Sequence, residues 1–276
     1  MELFKKYNII HNIDNYGVVS EYNTRSKTFS NGVVKLIKYS FPCYKGKVVN
    51  NKHNGSYSQD QLERKLENYL KKVKTNIIDL AFNYNKWEYF ITLTFNDKEI
   101  GDYSHDNAIK CLTKWIDNQK HQNRDFTYLL VPEFHKSGRL HFHGLVAHVP
   151  KWKLEEGRSA KTGRLLKVNG LQIYNLKNYK LGYTTISKIQ SQEKVSNYIS
   201  KYATKDLIKL KNKKRYWYSR NLQKPKLEYF CIDTNLKEYI EGSNVVYYNE
   251  FKKVDCSLEV AQLSENKLPI IDKKLT

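Results

Sequence analysis

Two stretches hold residue types from which a phosphoryl-transfer site could be built: Arg139-Leu140-His141-Phe142-His143-Gly144 and Tyr198-Ile199-Ser200-Lys201-Tyr202-Ala203-Thr204-Lys205. Side chains two apart on a strand point the same way, so a strand from Leu140 to Val149 presents His141 and His143 together. Two imidazoles on one face are a ready pair of metal ligands. Tyr198 and Tyr202 are four apart, which on a helix puts them on one face about 6 Å apart along the axis. Lys201 and Lys205 each follow a tyrosine by three residues and could neutralise charge at an attacked phosphate. A metal that polarises the phosphate and a tyrosine that attacks it complete the chemistry. Neither pattern is specific alone: tyrosines at helical spacing are usually core aromatics, and Tyr-x-x-Lys also begins at Tyr44, Tyr69 and Tyr174. The ordered combination carries the reading.

A third stretch, Phe90-Ile91-Thr92-Leu93-Thr94-Phe95, precedes the histidines. With the His141-Phe142-His143 pair and the double Tyr-x-x-Lys, in that order and spacing, the chain from Trp87 to Asp206 resembles the HUH endonucleases. The resemblance is to their rolling-circle replication initiators, the Rep proteins of small phages and plasmids. It implies an α+β fold with a central, mainly antiparallel β-sheet flanked by helices. It also implies a site-specific single-stranded DNA endonuclease and ligase that nicks an origin through a covalent 5′-phosphotyrosine intermediate. The tyrosine spacing is similar to that of the two-tyrosine Rep proteins of microviruses, with Tyr198 expected to act first and Tyr202 second. Further implications are Mg2+ or Mn2+ as cofactor, single-stranded origin DNA with host helicase and polymerase as partners, and the cytoplasm of a bacterial host as location. A relaxase or transposase with the same chemistry, or a non-enzymatic nucleic-acid-binding protein, is the alternative.

The family commonly carries a carboxylate or polar residue on the strand beside the histidines, which makes Glu133 the expected third ligand with His141 and His143. Register decides whether it can serve. A two-residue Ser137-Gly138 turn would set Glu133 opposite Phe142, on the wrong face, whereas an odd-numbered loop or a bulge aligns it with both histidines. His135 shares the parity of Glu133 and is a rival ligand. Pro132 cannot donate to a ladder and signals an edge or an irregularity.

The formal charge is +20 over 276 residues, which calls for an anionic partner. Interleaved aromatics favour unpaired nucleic acid, since Tyr, Trp and Phe stack on bases while Lys and Arg meet phosphates. The cysteines are scattered without Cys-x-x-Cys spacing and fit reduced thiols. No apolar run approaches the length of a membrane span. Periodicity predicts helices over Asp60–Asn83, with Leu62 to Ala81 inward, over Ser104–Gln122, and after Ser191. Strands are expected over Trp87–Phe95, Phe126–Phe134, Leu140–Val149 and Tyr183–Ile189. Residues 1–56 read as a β-rich extension, 57–222 as the catalytic domain and 223–276 as a tail. Lys151 to Lys180 reads as a surface loop. Expected DNA contacts are Thr92 and Thr94 on the first strand, Arg139 at the turn, and Arg215, Tyr216, Trp217 and Arg220 in a basic aromatic run.

Overall fold

Strands at the two ends of the chain pair with each other, and the residues between them fold around a second sheet. The computed structural model describes residues 11–14, 17–45, 58–101, 103–159, 161–168, 170–203, 214–253 and 256–264. In chain order the elements are β1 (His11–Asp14), β2 (Gly17–Thr28), β3 (Val34–Lys45), α1 (Gln59–Tyr84), β4 (Tyr89–Leu93), α2 (Asp97–Ile100) and α3 (His105–Gln122). There follow β5 (Thr127–Phe134), β6 (Leu140–Ala147), β7 (Leu154–Glu156), β8 (Lys167–Val168), β9 (Leu171–Gln172), β10 (Tyr174–Leu176), β11 (Thr184–Lys188) and α4 (Gln192–Ile199). The last are β12 (Trp217–Tyr218), β13 (Lys226–Phe230), α5 (Leu236–Tyr239), β14 (Val245–Lys253) and β15 (Cys256–Leu263).

One unit comprises residues 1–57 and 225–276, the other residues 58–224. In the first, β3 pairs with β15 and β2 with β13, so the segments read as an extension and a tail share one antiparallel sheet. Val34, Leu36, Ile232, Leu236, Ile240, Ala261 and Leu263 form its core.

The second unit carries the histidines and tyrosines. Its sheet has seven strands in the order β12-β5-β6-β4-β11-β10-β7, every pair antiparallel, with β6 between β5 and β4. This is the mixed α and antiparallel β architecture expected. Alternation sorts the faces. Ile91, Leu93, Leu140 and Phe142 are buried on one, where Phe142 meets Phe95 and Trp217 edge-on. Trp115 of α3 meets Phe126 in the same core. The opposite face, bearing His141 and His143, is covered in part by α1 and α4. Serine caps start these helices: Ser58, Ser104 and Ser191 each accept a backbone N–H from the first turn of α1, α3 and α4. Ser58 and Gln61 complete a reciprocal capping box.

Two expectations change. The stripe of α1 is buried only from Leu70 onward, and Leu62 and Tyr69 stand exposed on its first turns. The segment 151–180 is not a loop: β7 and β10 extend the main sheet and β8–β9 forms a small hairpin. Its lysines and glycines hide strands too short for alternation to register.

Gly144 lies opposite Ile91 on one side and Leu130 on the other. A Cβ there would run into the Leu130 side chain and come within 2.9 Å of the Leu129 carbonyl oxygen. Gly144→Ala should therefore destabilise the protein by about 1–3 kcal/mol in urea unfolding, from overpacking. An unchanged midpoint would show that the strand gives way freely.

Candidate active site

The β5–β6 hairpin closes through His135 N–H donating to the Arg139 carbonyl (2.8 Å) and Gly138 N–H to the His135 carbonyl (2.8 Å). Lys136, Ser137 and Gly138 thus form an odd-numbered loop, with Gly138 at φ 80°, the left-handed turn residue such a loop requires. This loop sets Glu133 opposite His141, on the face that also carries His143. Thr92 of β4 lies opposite His143 from the other side.

His143 is held on all sides. Its Nε2 is 2.7 Å from Glu133 Oε2 and its Nδ1 is 3.1 Å from Thr92 Oγ1. The Tyr202 ring stacks on it at 3.7 Å between centroids and 14° between planes. The Glu133 contact has ion-pair distance, yet burial is the dominant influence and lowers the His143 pKa against the raising effect of the carboxylate. We assign the neutral tautomer with Nε2–H donating to Glu133 and Nδ1 accepting from Thr92. His141 is likewise shifted down, first by burial and then by His135, whose ring stacks on it at 4.9 Å. Both imidazoles are thereby kept in the neutral form that metals bind.

The tyrosines arrive on α4. Gln192 ties its start to the strand entry: Trp87 N–H donates to Gln192 Oε1 (3.0 Å) and Gln192 Nε2 donates to the Trp87 carbonyl (2.8 Å). Ile199 and Ala203 are fully buried and anchor its far end. The helix tightens after Ile199 into a 3-10 turn, Ser200–Tyr202, which carries the second tyrosine. Val195, Tyr198, Ile199 and Tyr202 therefore do not share one inward stripe. Tyr202 is half-buried against His143, whereas Tyr198 is 42% exposed. The Tyr202 hydroxyl donates to the Tyr198 hydroxyl oxygen at 2.9 Å. Burial first, and then that hydrogen bond, push the Tyr202 pKa well above the usual phenol value. Phe90 braces both rings, at 5.4 Å from Tyr198 and 6.1 Å from Tyr202. Lys201 Nζ stands 4.8 Å over the Tyr198 ring. Lys205 lies outside the described residues.

Glu133, His141 and His143 suit a divalent ion by donor chemistry: one carboxylate and two neutral imidazoles on one face of neighbouring strands. As the side chains stand, no group of three or more His, Cys, Asp or Glu among the described residues is arranged to hold one. Converging on an ion requires His141 to leave the His135 ring and Glu133 to exchange its hydrogen bond to His143.

The expected DNA contacts divide. The Thr92 hydroxyl is given to His143, and Thr94 Oγ1 donates to the Tyr183 carbonyl and accepts from Tyr183 N–H, both at 2.9 Å. Arg139 pairs with Asp97 and lies over the Tyr103 ring, instead of facing solvent unengaged. Trp217 is only 8% exposed and packs on Phe142, so it is a core residue and not a stacking platform. Arg215, Tyr216 and Arg220 do share a groove of about 840 Å³ at the β12 edge, with Lys120, Lys214 and the exposed Tyr218. The sequence reading missed Phe90, Gln192 and Tyr218. Phe90 and Tyr218 could have been found from strand parity with their neighbours; Gln192 carried no signal.

Residues 88–207 match a family model of replication-associated proteins, the ORF2 type. No curated protein and no solved structure matches the chain. No helix among the described residues is long and apolar enough to cross a membrane.

Because the folded pKa of His143 and His141 is lowered, folding resists their protonation. Their contribution is intact above the unfolded value of about 6.5 and is lost as pH falls below it. In EDTA, the loss of thermal stability between about pH 7 and pH 5 should be shallower in His141→Gln, His143→Gln than in the wild type. Parallel slopes would show that the pair is not buried as neutral imidazoles.

Proposed function

We propose that this protein initiates DNA replication by nicking and rejoining single-stranded origin DNA through a phosphotyrosine. The match to replication-associated proteins supports the initiator role. The observation that carries the chemistry is the stacking of Tyr202 on His143 at 3.7 Å, with its hydroxyl bonded to Tyr198 at 2.9 Å. It gathers two phenols and the His pair around one spot.

Tyr198 is the initiating nucleophile. It is the exposed member of the pair, and its oxygen already accepts the Tyr202 hydrogen bond, so charge arising there on loss of the proton meets a donor in place. Lys201 adds a nearby positive charge. Tyr198 Oη bonds to phosphorus, the bond from phosphorus to the 3′ oxygen breaks, and the phenol proton ends on that oxygen as a free 3′-hydroxyl. The number of phosphate ester bonds is unchanged, so reversal rejoins the strand without ATP. Tyr202, held as a weak acid in the first step, is placed to act in the second. A divalent ion, Mg2+ or Mn2+, would be held by Glu133, His141 and His143 and would withdraw charge from the attacked phosphate. The 3′-hydroxyl is left for a host polymerase, with strand separation supplied by a helicase. The groove at the β12 edge is a second contact for the DNA, stacking bases on Tyr218 and Tyr216 and meeting phosphates with Arg220, Arg215 and Lys214.

With Mn2+ and a single-stranded origin oligonucleotide, the wild type should form a covalent adduct on a denaturing gel. Tyr198→Phe should lower the first-turnover rate at least about 100-fold, and Tyr202→Phe should spare cutting more than rejoining. Adduct formation undiminished in the double variant would reject the proposal. Separately, Arg220→Ala and Lys214→Ala should each weaken single-strand binding and lower the slope of log K against log salt by about 0.7. Unaltered slopes would remove the groove from the DNA path.

A further inference from the structure

The β8–β9 hairpin forms a wall beside the tyrosines. Val168, Leu171 and Ile173 face Phe90 and Tyr198 across a cleft of about 760 Å³, a volume suited to a nucleotide-sized ligand. Val168 is 57% exposed, an apolar side chain held in solvent opposite an exposed aromatic one. The wall is fixed in place. Gly157 N–H donates to the Ile173 carbonyl (2.7 Å), Leu166 N–H to the Gly157 carbonyl (2.8 Å) and Ile173 N–H to the Leu166 carbonyl (2.9 Å). Between the walls lie Thr185 and Ser187 of β11, whose register partners are Thr92 and Phe90, so their hydroxyls share the active-site face. Lys188 and Lys194 stand exposed at the rim.

Two apolar walls, hydroxyls between them and cations at the mouth are complementary to a flat heterocycle on an anionic chain. A base in a duplex has both ring faces covered by its neighbours, so the complementary ligand is an unpaired base. We propose that this cleft receives one unstacked base of single-stranded DNA beside the phosphate attacked by Tyr198, and that the β8–β9 hairpin thereby selects the sequence that is cut. The inference rests on the nicking reading for its consequence, and its binding chemistry stands apart from it. Val168 and Leu171 close one side of the base, Phe90 and Tyr198 the other. Thr185 and Ser187 meet its polar edge, and Lys188 and Lys194 meet the flanking phosphates.

The test uses the full-length protein in EDTA, so that binding is read without cleavage. Fluorescence anisotropy with a fluorescein-labelled, random-sequence single strand of about 20 nucleotides measures affinity. Val168→Asp should weaken binding about tenfold while Val168→Ile stays close to the wild type. Sequencing the bound fraction of a randomised single-stranded library should show Thr185→Val changing the base preferred at one position. Wild-type affinity in a folded Val168→Asp protein, or an unaltered preference in Thr185→Val, would overturn the inference. If no DNA yields an adduct while both variants still behave as expected, the nicking reading fails and the base cleft stands.

Discussion

The hairpin between β5 and β6 is the constraint on which the site depends. Strand side chains alternate, so one residue more or fewer in its loop would turn Glu133 to the opposite face of the sheet. The loop of Lys136, Ser137 and Gly138 fixes the register at Glu133 opposite His141, and the left-handed backbone of Gly138 permits it. From that register follow the carboxylate on His143, the neutral tautomer of its ring and the flat surface on which Tyr202 stacks. The core-facing residues of the same strands, Leu140 and Phe142, bury the alternative faces and hold the register in place.

The second requirement is that α4, a different part of the chain, arrives at this face. The Gln192 amide grips both backbone groups of Trp87 at one end, and Ile199 and Ala203 enter the core at the other. Between these anchors the tyrosines take unequal places. Tyr202 lies under cover, where burial and the hydrogen bond it donates hold its proton, while Tyr198 looks outward and receives that hydrogen bond. The asymmetry comes from the change of pitch after Ile199, which withdraws Tyr202 from the helical face that Tyr198 occupies.

Much of this was legible in the sequence. Alternation gave β4, β5, β6 and β11, and serine caps gave the helix starts, because these signals act over a few neighbouring residues. The histidine pair and the tyrosine pair stood out for the same reason. The sequence posed the Glu133 question without answering it, since register depends on whether Ser137-Gly138 alone or Lys136 as well lies in the turn. It misjudged Trp217 and Arg139, because burial against Phe142 and pairing with Asp97 are contacts between distant residues. It also missed the sheet shared by the chain ends and the hairpin inside 151–180, where strand pairing across long separations decides the structure and local composition does not.

The central claim is that Glu133, His141, His143 and the Tyr198 oxygen surround one DNA phosphate. Pulsed electron paramagnetic resonance on the Tyr198→Phe protein, loaded with Mn2+ and an uncut origin strand, examines it directly. The account predicts nitrogen couplings from two imidazoles, removed by His141→Gln, His143→Gln, together with a phosphorus coupling that appears only when DNA is present. Manganese bound without imidazole nitrogen, or with imidazole nitrogen but no phosphorus coupling in the DNA complex, would contradict it.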